Sequence, residues 1–262
     1  MASYPGTVRT LLLDGRSALL VRPRRARALL VLAHGAGAGM RHAFLAGLAD
    51  ALAAHAIATL RWELPYMAAG KQRVDPPAVA EAAVQATWRD AARRFERLPM
   101  FAGGKSFGGR MTSGAHATAA LPGARGVILV GFPLFDKPQR AEHLARATGP
   151  VLVVQGTRDT IAEMRAVVAA LGPRATLYEV AGADHGFAAV GRKPAEILAE
   201  LAGAIAAWME ALLSRHGAQA GGRGDAGELP PRHRDVVAAA GRAPPRRRPA
   251  RRDRAAADPH RR

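Results

Sequence analysis

Cysteine does not occur in the 262 residues, which removes disulfides, thiol nucleophiles and cysteine zinc sites from consideration. Lysine is almost missing too, confined to Lys71, Lys105, Lys137 and Lys193. No apolar run reaches membrane-spanning length without a charge or a glycine inside it. Met1 to Arg9 has no apolar h-region, and Leu11-Leu12-Leu13 is cut short by Asp14-Gly15, so no signal peptide is expected. These absences point to a soluble, cytoplasmic protein.

Positive charge is abundant: the formal net charge is +17, nearly all from arginine. Residues 215–262 hold 13 Arg against 5 acidic residues, which places +8 of it in that stretch. The accompanying excess of alanine fits a GC-rich coding sequence as well as a ligand-driven patch, so basicity alone names no partner. From Gly217 onward the chain is Gly, Ala, Pro and Arg with little large apolar side chain beyond Val236-Val237. Such a segment buries too little surface to offset its ordering entropy. The expected organisation is a folded domain over 1–214 and a disordered tail over 215–262. The tail lacks the interleaved aromatics of a nucleic-acid platform, which leaves a weak polyanion contact as its only implied partner.

Within the first 214 residues, apolar runs alternate with amphipathic stretches. Strands are expected at Val8–Leu13, Ser17–Val21, Ala28–Ala33, Ile57–Trp62, Met100–Gly104, Gly126–Gly131, Val151–Gln155 and Ala175–Val180. Helices are expected at about Arg41–His55, Ala78–Leu98, Phe107–Ala120, Pro138–Ala147, Ile161–Leu171 and Pro194–Leu213. This alternation predicts an α/β fold with a doubly wound, mostly parallel sheet. Ligands then bind beyond the carboxyl ends of the strands, where the loops after residues 33, 62, 105, 131, 155 and 180 gather.

The most informative of these loops is Gly103-Gly104-Lys105-Ser106-Phe107-Gly108-Gly109-Arg110. It contains G-x-S-x-G between a strand and a helix, the context of a nucleophile elbow. The turn crowds the positions two before and two after the serine, and glycine at 104 and 108 supplies the room. Gly104-Lys105-Ser106 also ends like a phosphate loop. That motif needs glycine where Pro99 stands, and Met100-Phe101-Ala102 is strand-like where a flexible loop belongs.

A serine hydroxyl is a poor nucleophile until a base takes its proton and a third group orients that base. Asp159 and His185 stand on the two later rim loops, in the order Ser…Asp…His. Alternative roles exist for each: Asp159 could cap the helix from Ile161, and Asp136 could be the acid instead. Backbone donors for an oxyanion are expected at Phe107 and at Ala36, with Gly37 as the other candidate in the His34-Gly35-Ala36-Gly37 loop. About 19 residues separate the Gly131 and Val151 strand ends, too few for a cap domain. An open site walled by Met40, Tyr66, Met67, Phe107, Phe132, Phe135 and Phe187 is expected, suited to a small or medium ester-type substrate. No cofactor, metal or membrane is implied.

Taken in order, the His-Gly-Ala-Gly loop, the elbow, Gly156-Thr157-Arg158-Asp159 and Asp184-His185-Gly186-Phe187 resemble the α/β-hydrolase superfamily over about Leu11 to Leu213. Glu63-Leu64-Pro65-Tyr66-Met67 and the elbow are most similar to the dienelactone-hydrolase-like branch. That branch includes bacterial relatives of testis-expressed protein 30 and of NSL-complex subunit 3, part of an animal chromatin-acetyltransferase complex. The resemblance implies nucleophile, acid and base at Ser106, Asp159 and His185. True dienelactone hydrolases use cysteine as nucleophile, which this chain does not have, and the branch's complex-forming members imply a scaffold role as the alternative.

Overall fold

Apolar runs form the central strands, which are covered on both faces, and the connecting segments supply the cover. The computed structural model describes residues 7–135 and 137–221. Asp136 and the Arg-rich stretch beyond 221 therefore lie outside the described residues. The elements are β1 (Val8–Leu13), β2 (Arg16–Val21), β3 (Ala28–Ala33), α1 (Ala43–Ala54), β4 (Ile57–Trp62), α2 (Pro65–Ala68), α3 (Pro77–Arg94) and β5 (Met100–Lys105). They continue with α4 (Phe107–Thr118), β6 (Ala124–Val130), β7 (Val151–Gly156), α5 (Ile161–Leu171), β8 (Ala175–Val180) and α6 (Pro194–Gly221). The sheet has eight strands in the order β1-β2-β4-β3-β5-β6-β7-β8. β1 and β2 form an antiparallel hairpin and β2 joins β4 antiparallel. From β4 to β8 every pairing is parallel. The expected α/β architecture, without a cap, is the observed one.

Period-two alternation inside the apolar runs sorts the two faces. Leu29, Val31, Leu60, Trp62, Met100 and Ala102 pack with Trp88 of α3 and Met111 of α4. Leu30, Leu32, Phe101, Ile128, Val130 and Val154 pack with Leu45, Leu48 and Leu52 of α1 and Ile197, Leu201 and Ile205 of α6. By length and composition α6 could pass for a membrane span. Its Ile197, Leu201, Ile205 and Met209 are buried against the sheet and α1, which makes it a core helix.

Three segments differ from expectation. Glu63–Met67 is not all loop: Pro65 starts the single-turn helix α2, consistent with the ring's fixed φ at a first helical position. Pro138–Ala145 is a 3-10 helix. The last helix continues through 215–221, a stretch expected to belong to the tail; the run Ala218-Gln219-Ala220 has high helix propensity.

At β5 the chain turns into α4 with no room to spare. A Cβ on Gly108 would lie 2.4 Å from the His34 carbonyl oxygen and 2.7 Å from the Ala33 carbonyl carbon. One on Gly104 would lie 2.4 Å from Gly108 and Gly109 main-chain atoms. Main chain on both sides has nowhere to go. Gly108→Ala is expected to lower unfolding stability in urea by about 1–3 kcal/mol. Gly203→Ala in α6, where nothing lies within 4 Å, should stabilise by about 0.5–1 kcal/mol. Equal effects at the two sites would contradict this packing.

Candidate active site

Ser106 joins β5 to α4 at φ 50° and ψ −117°, a conformation L-residues rarely adopt. It is fixed from both sides: its N–H donates to the Val130 carbonyl at 2.9 Å, and its carbonyl accepts the Arg110 N–H at 3.0 Å. The side chain is thereby lifted away from the strand, at the start of a helix whose first N–H groups have no helical partner.

Two later loops meet it there. His185 Nε2 stands 3.0 Å from Ser106 Oγ, and His185 Nδ1 stands 2.8 Å from Asp159 Oδ2. The carboxylate accepts only, so Nδ1 carries the proton and Nε2 offers its lone pair to the hydroxyl. The Asp159 side chain is 4% exposed and that of His185 30%, so the carboxylate is enclosed and the imidazole is reachable. Capping does not occupy Asp159: Thr160 is the residue before α5 and makes no side-chain cap bond. Asp184 instead closes its own loop, accepting the Ala188 N–H at 2.9 Å.

Gln155, fully buried at the end of β7, completes the arrangement. Its Nε2 donates to Asp159 Oδ2 at 2.8 Å and to the Asp159 carbonyl at 3.0 Å. Its Oε1 accepts the Phe132 N–H at 2.8 Å. The amide thus supplies a second donor to the acid and ties the β6 and β7 loops together. Sequence reading passed over it, because glutamine closing an apolar run carries no sign of its partners.

The loop after β3 lies directly over the elbow: a Cβ on Gly35 would sit 3.7 Å from Ser106 Cβ. His34 is fully buried and structural, donating from Nδ1 to the Gly35 carbonyl at 2.8 Å and accepting the Leu64 N–H at 3.0 Å. The segment after β4 clamps this loop. Glu63 Oε1 accepts the Met40 N–H at 3.0 Å, and Arg61 donates to the Met40 carbonyl at 3.1 Å. Tyr66 hydroxyl accepts the Gly37 N–H at 2.9 Å. Burial pushes the Tyr66 phenol up, so it stays neutral in that role. Gly37 is thereby corrected as an oxyanion donor, since its N–H is already committed. Among the described residues, the N–H groups of Ala36 and Phe107 have no hydrogen-bond partner.

The expected wall is only partly at the surface. Phe135 is 44% exposed and its ring meets His185 edge-on at 4.7 Å; Met67 and Phe107 are half-buried. Met40 and Tyr66 are buried beneath the loops they brace. Phe132 belongs to the core with Val127, Leu129 and Leu144. Phe187 stacks on Phe44 at 5.4 Å and lines a separate apolar groove of about 410 Å³ with Pro194, Ile197 and Leu198. An aromatic side chain next to a rim loop turns inward wherever the core offers it cover. Among the described residues no group of three His, Asp or Glu converges as metal ligands would.

Replacing Gln155 by leucine strands the Phe132 N–H and takes a donor from the buried Asp159 carboxylate. Urea unfolding should show a loss of about 1–3 kcal/mol; an unchanged midpoint would mean that the amide contributes nothing net.

Known proteins share this architecture. The chain is similar to a dienelactone hydrolase from Anabaena variabilis, at 19% identity over 79% of this chain and 98% of that one, with a TM-score of 0.66. It is similar to XC6422 from Xanthomonas campestris, described as an α/β serine hydrolase without lid, at 17% identity over 79% and 98%, TM-score 0.63. Est1E from Butyrivibrio proteoclasticus matches at 15% identity over 79% and 99%, TM-score 0.61. At such identities the likeness is one of fold. A family model described as the alpha/beta hydrolase domain matches residues 26–212, and with most of the chain inside that match the protein belongs to the alpha/beta hydrolase family.

Proposed function

We propose that this protein is a serine hydrolase that cleaves a small or medium ester-type bond through an acyl-enzyme. The observation that carries the proposal is the continuous chain from Asp159 Oδ2 through His185 to Ser106 Oγ, at 2.8 and 3.0 Å. Ser106 Oγ attacks the carbonyl carbon while His185 Nε2 takes its proton. The tetrahedral oxyanion is held by the free N–H groups of Phe107 and Ala36, donors that need no reorientation as charge develops. The C–O bond to the leaving group breaks, and the imidazolium returns the proton to the departing alkoxide. Water then attacks the acyl-enzyme with His185 as base, releasing the acid and restoring the serine hydroxyl. Asp159 holds the tautomer throughout and stabilises the imidazolium.

The short β6–β7 connection, spanned by the 3-10 helix Pro138–Ala145, supports an open, uncapped site. Phe135, Met67 and Phe107 are the apolar surface available to an acyl or aryl group. The motifs Glu63–Met67 and Gly103–Arg110 support a narrower placement in the dienelactone-hydrolase-like branch with the bacterial relatives of testis-expressed protein 30, with serine standing in for cysteine.

Short- and medium-chain aryl esters are the substrates to assay. Ser106→Ala should lower kcat by about 10⁴-fold or more, and Asp159→Asn by about 10⁴-fold through loss of the productive tautomer. Turnover by Ser106→Ala at the wild-type rate would end the proposal.

A further inference from the structure

Lys105 is the member of the Gly104-Lys105-Ser106 stretch that the hydrolytic mechanism leaves without a task. It is the last residue of β5, immediately before the nucleophile. Its Nζ donates to the main-chain carbonyl of His185 at 2.7 Å and lies 5.3 Å from the Phe187 ring centroid. The space it occupies exists because residue 131 is glycine: a Cβ there would stand 2.8 Å from Nζ. Among the described residues it forms no ion pair with a carboxylate, which for an enclosed ammonium is costly. A methionine of similar length would fill the same space without that cost.

We propose that Lys105 is a positioning residue, whose ammonium fastens the main chain of His185 to the strand end that carries Ser106. The inference rests on the assignment of Ser106 and His185 as nucleophile and base. Asp159 sets the imidazole from its Nδ1 side, and Lys105 sets it from the main-chain side. The loop from 184 to 188 is otherwise closed on itself, through Asp184 N–H to the Ala188 carbonyl and Phe187 N–H to the Asp184 carbonyl, both at 3.0 Å. Among the described residues, the main-chain tie from this loop to the nucleophile strand is the lysine.

The tether is sensitive to pH. Burial pushes the Lys105 ammonium down from 10.5 to about 8, against the pull of Asp159 and Asp184. Among the described residues, these two carboxylates and the Phe187 ring are the charged and aromatic groups that act on it, beside the His185 carbonyl it bonds. Below about pH 8 the bond to His185 is charge-assisted; above it the neutral amine makes a bond about half as strong and loses its attraction to the ring. Turnover therefore falls as pH rises through that point. Stability moves in the opposite sense. Between about 8 and 10.5 the unfolded chain binds the Lys105 proton and the folded protein does not, so this residue's contribution to stability rises with pH.

The test measures kcat and KM for an aryl ester across this range in wild type, Lys105→Met and Lys105→Arg, with urea unfolding alongside. The wild type should show an alkaline limb in kcat near pH 8. Lys105→Met should lose about 10- to 100-fold in kcat with KM within about twofold, and should show no limb. Lys105→Arg keeps its charge, so it should exceed the methionine variant in kcat and also lack the limb. A folded Lys105→Met protein with wild-type kcat would overturn the inference, as would a limb that persists in Lys105→Arg should the methionine variant not fold. Failure of the underlying assignment would look different: Ser106→Ala would keep its turnover, whatever Lys105 does.

Discussion

Ser106 is held at φ 50° and ψ −117°, and the surrounding structure is fitted to that backbone. A non-glycine residue in such a conformation costs about 1–3 kcal/mol and persists only where its surroundings over-determine it. Here they do. β5 lies between β3 and β6 in the middle of the parallel strands, the serine's own N–H and carbonyl are both bonded, and α4 begins at the next residue. The absence of side chains at Gly104 and Gly108 lets three backbone segments meet at distances no Cβ would allow.

The rest of the rim is organised by polar ties to main chain. Tyr66, Glu63 and Arg61 hold the loop after β3; Gln155 joins the loops after β6 and β7; Lys105 joins β5 to the loop after β8. Each tie reaches across from a different strand end, so the side chains that meet at Ser106 are placed by the sheet rather than by their own flexible loops. This rigid placement fits the proposed reading of a site without a cap. An open site cannot gather its groups by closing, and has to hold them already arranged.

The sequence made the sheet and the candidate site's side chains legible for different reasons. Strands such as Ala28–Ala33 and Val151–Gly156 are built on apolar runs, unbroken in the first and closed by Gln155 in the second, as parallel strands buried on both faces require. Ser106, Asp159 and His185 could be nominated because each follows a strand, and topology brings strand ends together whatever their separation in the chain. Their supports could not. Gln155 bonds Phe132, 23 residues earlier, and Tyr66 bonds Gly37, 29 residues earlier; neither pairing leaves a spacing to recognise. The inward turn of Phe132 was hidden for a related reason, since whether an aromatic lines a site or fills the core depends on which neighbours the fold supplies. Lys105 was noticed only for its likeness to a phosphate-loop lysine, and its bond to the main chain of residue 185 is a purely tertiary fact.

A crystal structure of the protein after reaction with an aryl phosphonate tests the central claim most directly. Phosphorus should be bonded to Ser106 Oγ, with one phosphonyl oxygen accepting the N–H groups of both Ala36 and Phe107, and His185 Nε2 facing the leaving-group side. An adduct on another residue, or a phosphonyl oxygen turned away from those two donors, would contradict it.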